Sequence, residues 1–262
     1  MESPYGEVAS AYLSRPAYPD ELFKYIQDRC PNTGVVWDAG CGSGQASEHL
    51  VRYFDKVVAT DKSYEQLSRA RPHPRILYKC APSEESGLKT GSVDCVCAFM
   101  AAHWFNLDKF YHEARRISAP GGLIVLVCYG EPFVASDQLV SDFLEDIASR
   151  IASFGGPAIQ RMRAGYRDLP FPFTNEAQMP RMYAQRELSG RELVLYFRSR
   201  ASIIDHRQRT GVDLCHELEQ RLTTHGRNNA IYRLTWPLTG RVAPIHAIDT
   251  PYALTQQTVL NP

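Results

Sequence analysis

No apolar run in this chain reaches the roughly 18 residues that a membrane-spanning helix needs, so a membrane-embedded protein is not expected. Neither sign of charge is in excess, with Lys plus Arg and Asp plus Glu at 29 each. That balance gives no long-range field to draw in nucleic acid or an anionic membrane. No basic stripe with interleaved aromatics marks a nucleic-acid face either. The seven cysteines, at 30, 41, 80, 95, 97, 128 and 215, never fall as Cys-x-x-Cys, which argues against a metal site or a disulfide framework. Their odd number and their places in apolar runs fit free thiols acting as small hydrophobes in a reducing compartment. The opening residues, "MESPYGEVAS", lack the charged-then-apolar layout of a secretory leader, so a cytoplasmic location is expected. Internal repeats and low-complexity stretches are also missing.

What is present, from residue 34 to 129, is alternation. "GVVWD" (34–38), "KVVATD" (56–61), "RILYK" (75–79), "SVDCVCAFM" (92–100) and "LIVLVCY" (123–129) are short apolar runs bounded by turn signals, and are predicted strands. Helical spacing lies between them. In "SGQASEHLVRYF" Ala46, Leu50, Val51 and Phe54 share a face, with Ser43 as the expected N-cap. "SYEQLSRA" predicts a short helix. "LDKFYHEARRIS" (107–118) puts Phe110, Ala114 and Ile117 on one side and is expected to end at Pro120-Gly121-Gly122. Strands alternating with helices predict a doubly wound, mainly parallel α/β sheet with both faces covered.

Beyond Tyr129 the rhythm loosens. A helix is expected over 136–153, a long loop or lid over 155–180, and a strand at "RMYAQREL" (181–188). Ser189 and Glu192 form a capping box for a helix over 190–200. A further helix over 212–223 and a strand at "AIYRLTW" (230–236) complete the pattern. The expected organisation is a nucleotide-binding core with an N-terminal helical segment (1–130), a lid over the acceptor site (131–229), and the last core strand with a tail (230–262).

The stretch "VVWDAGCGSGQAS" (35–47) carries the chemistry. A parallel strand, a glycine turn and a helix start form a site for a nucleotide-like ligand at the strand's C-terminal edge. Glycine admits positive φ and close approach of a ligand, and a helix start offers free N–H groups. The pattern is Asp-x-Gly-x-Gly-x-Gly, on Asp38, Gly40, Gly42 and Gly44. The dinucleotide fingerprint places its third glycine one residue later, so this tighter loop suits a ligand without a pyrophosphate. Asp61 ends the second strand, where an acid can accept hydrogen bonds from ribose hydroxyls. Two plainer roles stand beside these: a glycine turn that only joins strand to helix, and Asp61 as the N-cap of the next helix.

With those residues placed, the chain resembles the class I S-adenosylmethionine-dependent methyltransferases of type 11, particularly the trans-aconitate methyltransferase-like branch. The matching pieces run in order: "AYLSRPAYP" (11–19), "VVWDAGCGSG", "VVATDKS", "CAPSEE" (80–85), "GSVDCVCAFMAAHWF" and "FYHEARRISAPGGLIVL". After residue 130 only "LVLYFRSRAS" (193–202) is similar. The resemblance implies a seven-stranded sheet whose last pair is antiparallel, S-adenosyl-L-methionine as cofactor and S-adenosyl-L-homocysteine as product. It implies that Gly40, Cys41, Gly42 and Gly44 flank the methionine part and that Asp38 reaches its amino group through water. Asp61 would hold the ribose with Lys62 beside the adenine, and Pro82, Ser83 and Glu84 would line the adenine pocket. Met100 would sit near the sulfonium, and Tyr12 and Arg15 would clamp the cofactor carboxylate.

A sulfonium methyl is already activated, so alignment and exclusion of water carry most of the catalysis. A base is needed only for an acceptor that is protonated at working pH. His103 and Tyr129 are the candidate catalytic groups, and Trp104 and Phe105 the candidate substrate wall, with core packing as their plainer role. Arg161, Arg163, Arg167, Arg181 and Arg186 form a set that could recognise an anionic acceptor, or simply a solvated face. The expected partner is a small-molecule acceptor, methylated on oxygen or nitrogen. A nicotinamide-dependent oxidoreductase, a cofactor-binding regulator or scaffold without transfer, and a protein methyltransferase are the competing readings.

Overall fold

The apolar runs become the middle of one mixed sheet. In the computed structural model, which describes residues 16–245, β1 (Val35–Ala39), β2 (Lys56–Asp61), β3 (Ile76–Cys80), β4 (Val93–Phe99) and β5 (Ser118–Tyr129) are parallel. β6 (Phe133–Val134), β7 (Met182–Ser189) and β8 (Ile231–Pro244) complete an eight-stranded sheet. The parallel part runs β3-β2-β1-β4-β5; β8 lies antiparallel to β5, and β6 and β7 antiparallel to β8. The predicted antiparallel last pair is therefore β7 and β8, and β6 is an added two-residue strand too short to read from its pattern.

Both faces of the sheet are covered at β1, β2, β4 and β5, which is why these strands are mostly apolar runs, whereas the edge strand β3 is partly exposed and β7 alternates. Val36, Cys95, Cys97 and Val125 feed one core, while Trp37, Val96, Ala98 and Ile124 feed the other, and all are fully buried. The helices are α1 (Asp20–Gln27), α2 (Ser47–Leu50), α3 (Tyr64–Leu67), α4 (Leu107–Ile117), α5 (Gln138–Arg150), α6 (Gly156–Arg163), α7 (Gly190–Arg198), α8 (Ala201–Thr210) and α9 (Leu214–Thr224). The strand order reverses between β1 and β4, and the crevice at the C-terminal ends of such strands is where ligands bind in open α/β sheets.

Several boundaries differ from expectation for identifiable reasons. The helix expected from Ser43 starts at Ser47, with Ala46 before it and no side-chain cap. Gly42 and Gly44 have φ of 57° and 82°, left-handed values that a right-handed helix cannot contain. α4 ends at Ile117, before Pro120-Gly121-Gly122, which instead lies in β5 near a register shift against β4. Gly155, at φ 95°, starts α6 inside the stretch expected to be loop, with Pro157 in its first turn. The capping box at Ser189 and Glu192 is present as predicted. β8 continues eight residues past Trp236, through Pro237 and Gly240, which had hidden it. At Gly240 the Leu126 carbonyl of β5 comes so close that no Cβ would fit.

One polar cluster fixes the segment after β3 against α4. Glu113 is 5% exposed. Its Oε1 accepts from the Ser86 amide at 2.9 Å and from the Ser86 hydroxyl at 2.5 Å, and both oxygens accept from Arg116. Burial pushes the Glu113 carboxyl up, but the hydrogen bonds from Arg116 and Ser86 outweigh it and hold it below the ordinary Glu value. Its stabilisation is therefore present above that ordinary value and is lost as pH falls through the depressed one. Glu113→Ala leaves the Ser86 donors unpaired and is expected to cost about 2–4 kcal/mol in urea unfolding at pH 7, with the gap to wild type narrowing in acid.

Candidate functional site

β1 must turn sharply after Ala39, and the residues that make the turn also make the site. Gly40, Gly42 and Gly44 all have positive φ, at 70°, 57° and 82°. A Cβ on Gly40 would lie 2.7 Å from the Ala101 Cβ and 3.0 Å from the Phe105 ring, so the loop is pressed onto the segment after β4. A Cβ on Gly44 would strike the Tyr78 ring. Gly44 therefore serves packing against β3 and lies outside the cavity lining, whereas Gly40, Cys41 and Gly42 line it.

Asp61 closes the turn from the neighbouring strand. Its Oδ2 accepts from the Gly42 amide at 2.9 Å and its Oδ1 from the Ser63 amide at 2.8 Å. The N-cap of α3 is Ser63, not Asp61, because the Ser63 hydroxyl takes the Gln66 amide at 3.3 Å. A carboxylate has about four acceptor positions, so two remain for a ligand. Asp38 lies deeper, fully buried in β1. Its Oδ2 accepts from the Ser47 hydroxyl at 2.5 Å, while its buried Oδ1 has no hydrogen-bond partner. Burial is the main cause that pushes the Asp38 carboxyl up to about 7; the Ser47 hydrogen bond opposes the rise and the Asp61 charge adds to it.

The cavity between these groups has a volume of about 540 Å³. Lys62, Ser83 and Glu84 line it beyond Asp61. Pro82 is exposed and off the lining; Ala81 and Ser83 take its place as the chain leaves β3. Glu84 also accepts from the Asn106 amide at 2.8 Å, tying this wall to the start of α4. Met100 follows β4 with φ 52°, a left-handed value rare for a non-glycine residue and costing on the order of 1–3 kcal/mol. Its amide donates to the Val127 carbonyl at 2.8 Å, and its sulfur receives the Tyr129 amide at 3.2 Å.

His103 and Trp104 stand in a short 3-10 turn (Ala102–Trp104) and line the cavity with Phe105 and Tyr129. His103 is buried, with Nδ1 2.8 Å from the Tyr166 hydroxyl. Trp104 is 58% exposed, so it is not core packing; Phe105 is half-buried and packs on Phe110. Tyr12 and Arg15 lie outside the described residues. None of Arg161, Arg163, Arg167, Arg181 and Arg186 lines the cavity. Arg163 is held by Glu131 and by the carbonyls of Ile151, Ala152 and Phe154. Among the described residues the arginine that lines it is Arg200, together with Tyr196 and Ser202. These fall in "LVLYFRSRAS", which resembles the family in sequence but carried no assigned role. Tyr18 of the entry segment and Gln45 of the loop also line the cavity. Among the described residues no His, Cys, Asp and Glu cluster could hold a metal, and no helix is long and apolar enough to cross a membrane.

A family model described as a methyltransferase domain matches residues 37–126. A candidate methyltransferase of Dictyostelium discoideum is 35% identical over 132 residues, covering 50% of this chain and 50% of that protein. A candidate S-adenosylmethionine-dependent methyltransferase of Saccharomyces cerevisiae is 32% identical over 127 residues, covering 45% of this chain and 44% of that one. The chain thus spans about half the length of the curated relatives it matches. A solved structure of a candidate type II methyltransferase from Anaeromyxobacter dehalogenans superposes with a TM-score of 0.80 at 35% identity, covering 89% of this chain and 99% of that one.

The loop geometry is testable against an internal control. Gly91 has φ 66° with nothing within 4 Å of the place a Cβ would occupy, so Gly91→Ala meets the backbone cost alone. Gly40→Ala meets the same backbone cost and the clash with Ala101 and Phe105. Chemical denaturation is expected to show Gly40→Ala less stable than Gly91→Ala by about 1–3 kcal/mol.

Proposed function

This chain belongs to the type 11 family of class I S-adenosylmethionine-dependent methyltransferases, and on that premise we propose that it methylates an oxygen or nitrogen of a small-molecule acceptor, with S-adenosyl-L-homocysteine as the other product. The observation that carries this reading is the buried, partnerless Oδ1 of Asp38 beneath the glycine loop. A buried carboxylate oxygen without a donor is costly unless one is supplied when the site is filled, and the ammonium of the cofactor's methionine part would do so through a bridging water. The second anchor is Asp61, whose remaining acceptor positions suit a ribose diol. When bound, S-adenosylmethionine supplies a sulfonium-activated methyl carbon, whose bond to sulfur breaks, leaving its electron pair there, as a lone pair of the acceptor forms the new bond.

The residues of this chain orient and enclose. Gly40, Cys41 and Gly42 present bare backbone to the cofactor. Lys62, Ser83 and Glu84 frame the adenine side, and Met100 marks the place where strand β4 meets the reacting centre. Trp104 and Phe105 offer ring faces, which attract cations. A carboxylate acceptor loses no proton on methylation. For a protonated acceptor, His103 is the proposed proton acceptor, with Tyr129 beside it. The Tyr166 hydroxyl stands 2.8 Å from Nδ1 of His103 and fixes the orientation of its ring. The seven cysteines are free, with the Cys95 and Cys97 sulfurs 3.5 Å apart, which suits a reducing compartment such as the cytoplasm.

Titration with S-adenosylmethionine tests the reading. Asp61→Ala is expected to weaken binding about tenfold or more, since a hydrogen bond to a charged group is worth roughly 1.5–3 kcal/mol. Unchanged affinity in a folded variant removes Asp61 from the site, and cofactor binding without transfer across a broad acceptor panel favours a regulator. His103→Ala is expected to keep cofactor affinity; unchanged turnover with the true acceptor reduces His103 to scaffolding. Cofactor binding should also depend on pH. Burial holds the Asp38 carboxyl at about 7, so below neutrality it is largely protonated in the free protein. An ammonium needs the carboxylate, so affinity should fall below pH 7, approaching about tenfold per unit, and binding near pH 7 should release a proton. Calorimetry in buffers of different ionisation enthalpy reads that proton directly.

A further inference from the structure

The sheet beneath the glycine loop holds a second polar atom without a partner. The strand register pairs Asp38 of β1 with Ala59 of β2, and Ala59 with Tyr78 of β3. Side chains in one such row share a face of the sheet, and side chains two residues apart along a strand do so too. Asp38, Ala59 and Tyr78 each follow by two residues a member of the same core, namely Val36, Val57 and Ile76. Two strand spacings separate the backbones of Asp38 and Tyr78 by roughly 10 Å. Ala59 between them is fully buried and adds only a methyl group, so the row is low in the middle.

Tyr78 is turned toward the loop. Its ring and hydroxyl stand where a Cβ on Gly44 would strike them. Gly44 lies three residues before Ser47, whose hydroxyl donates to Asp38 Oδ2. The Tyr78 residue is half-buried, yet its hydroxyl oxygen is wholly buried and has no hydrogen-bond partner among the described residues. Burial is the main cause that pushes this hydroxyl up to about 12, with Cys41, Glu48 and Asp38 adding to the rise. It therefore keeps its proton at neutral pH and is a donor. A phenylalanine would make the same ring contact with Gly44 without the cost of a buried, unpaired hydroxyl. The other partnerless atom of the row is Oδ1 of Asp38. A donor and an acceptor stand on either side of one alanine.

We propose that Tyr78 is a positioning residue of the cofactor site, and that its hydroxyl holds the water that bridges Asp38 Oδ1 to the ammonium of the cofactor's methionine part. The inference rests on the methyltransferase reading of the cavity and adds to it a residue of β3 that lies off the cavity lining. A buried water typically makes about three hydrogen bonds. This one accepts from the tyrosine and from the ammonium and donates to the carboxylate. All the polar groups are then satisfied, and none changes its proton. Without the tyrosine the water keeps two partners and is held less firmly.

Tyr78→Phe breaks no hydrogen bond among the described residues and keeps the ring on Gly44, so the variant is expected to fold. Calorimetry compares two ligands. S-adenosyl-L-homocysteine carries the ammonium; methylthioadenosine keeps the adenosine and the sulfur but has no amino-acid part. Tyr78→Phe should weaken S-adenosyl-L-homocysteine about fivefold or more and leave methylthioadenosine within about twofold. A crystal structure with S-adenosyl-L-homocysteine should show a water within hydrogen-bond distance of both Tyr78 Oη and Asp38 Oδ1. Unchanged S-adenosyl-L-homocysteine affinity, an equal loss for both ligands, or a wild-type crystal without that water overturns the inference. An equal loss would mean that Tyr78 only props the glycine loop. Failure of the wild-type protein to bind S-adenosyl-L-homocysteine sinks the methyltransferase reading instead, so the two failures are told apart.

Discussion

The hydrogen bond from the Gly42 amide to the Asp61 carboxylate, 2.9 Å across two adjacent strands, is the constraint on which the site depends. It ties the tip of the glycine loop to the end of β2. The Gly40 and Cys41 amides add to the tie by donating to the Thr60 carbonyl at 2.8 and 2.9 Å. A loop so held presents its bare backbone to the crevice in one conformation. The same carboxylate that fixes the loop faces the cavity, so loop shape and the proposed ribose contact would rest on one group. A carboxamide at position 61 would keep the outline of the side chain but lose the charge that both partners use.

Charge is spread unevenly along the cavity. Asp38, Asp61 and Glu84 line it near the glycine loop, with Lys62 next to Asp61, and Arg200 lines it at the junction of α7 and α8. Under the proposed function the acidic groups would face the cationic part of the cofactor, and in a site with low effective dielectric such charges act more strongly than in water.

How much of this was legible in the sequence depended on whether a residue's role was local. β1, β2, β4 and β5 were readable because strands buried on both faces are continuous apolar runs, and the capping box at Ser189 was readable because its two members lie three residues apart. The loop glycines and Asp61 were readable because the strand, turn and neighbouring strand follow one another in the chain. The far end was not. Arg200 and Ser202 meet Glu131 and the rest of the cavity only through folding, some 69 residues separating Arg200 from Glu131. The five arginines singled out instead share a stretch of sequence but not a place in the cavity. β8 escaped beyond Trp236 because Pro237 and Gly240 are breakers in most settings; here Gly240 is demanded by the closeness of β5. The helix at Ala201–Thr210 escaped because its buried residues, Ser202, Ile203 and His206, include only one strong hydrophobe.

Several uncomfortable features border the cavity: Asp38 keeps a buried oxygen without a partner, Met100 holds a left-handed backbone, and Arg200 keeps a buried nitrogen outside good hydrogen-bond geometry. Away from it the strands interlock apolar residues on both faces, and Glu113 satisfies its neighbours in full. Local rules are expected to fail where a site must receive something, with the deficit offset by packing elsewhere. The partnerless oxygen of Asp38 is such a deficit among the described residues, and under the proposed function a bound cofactor would be what offsets it.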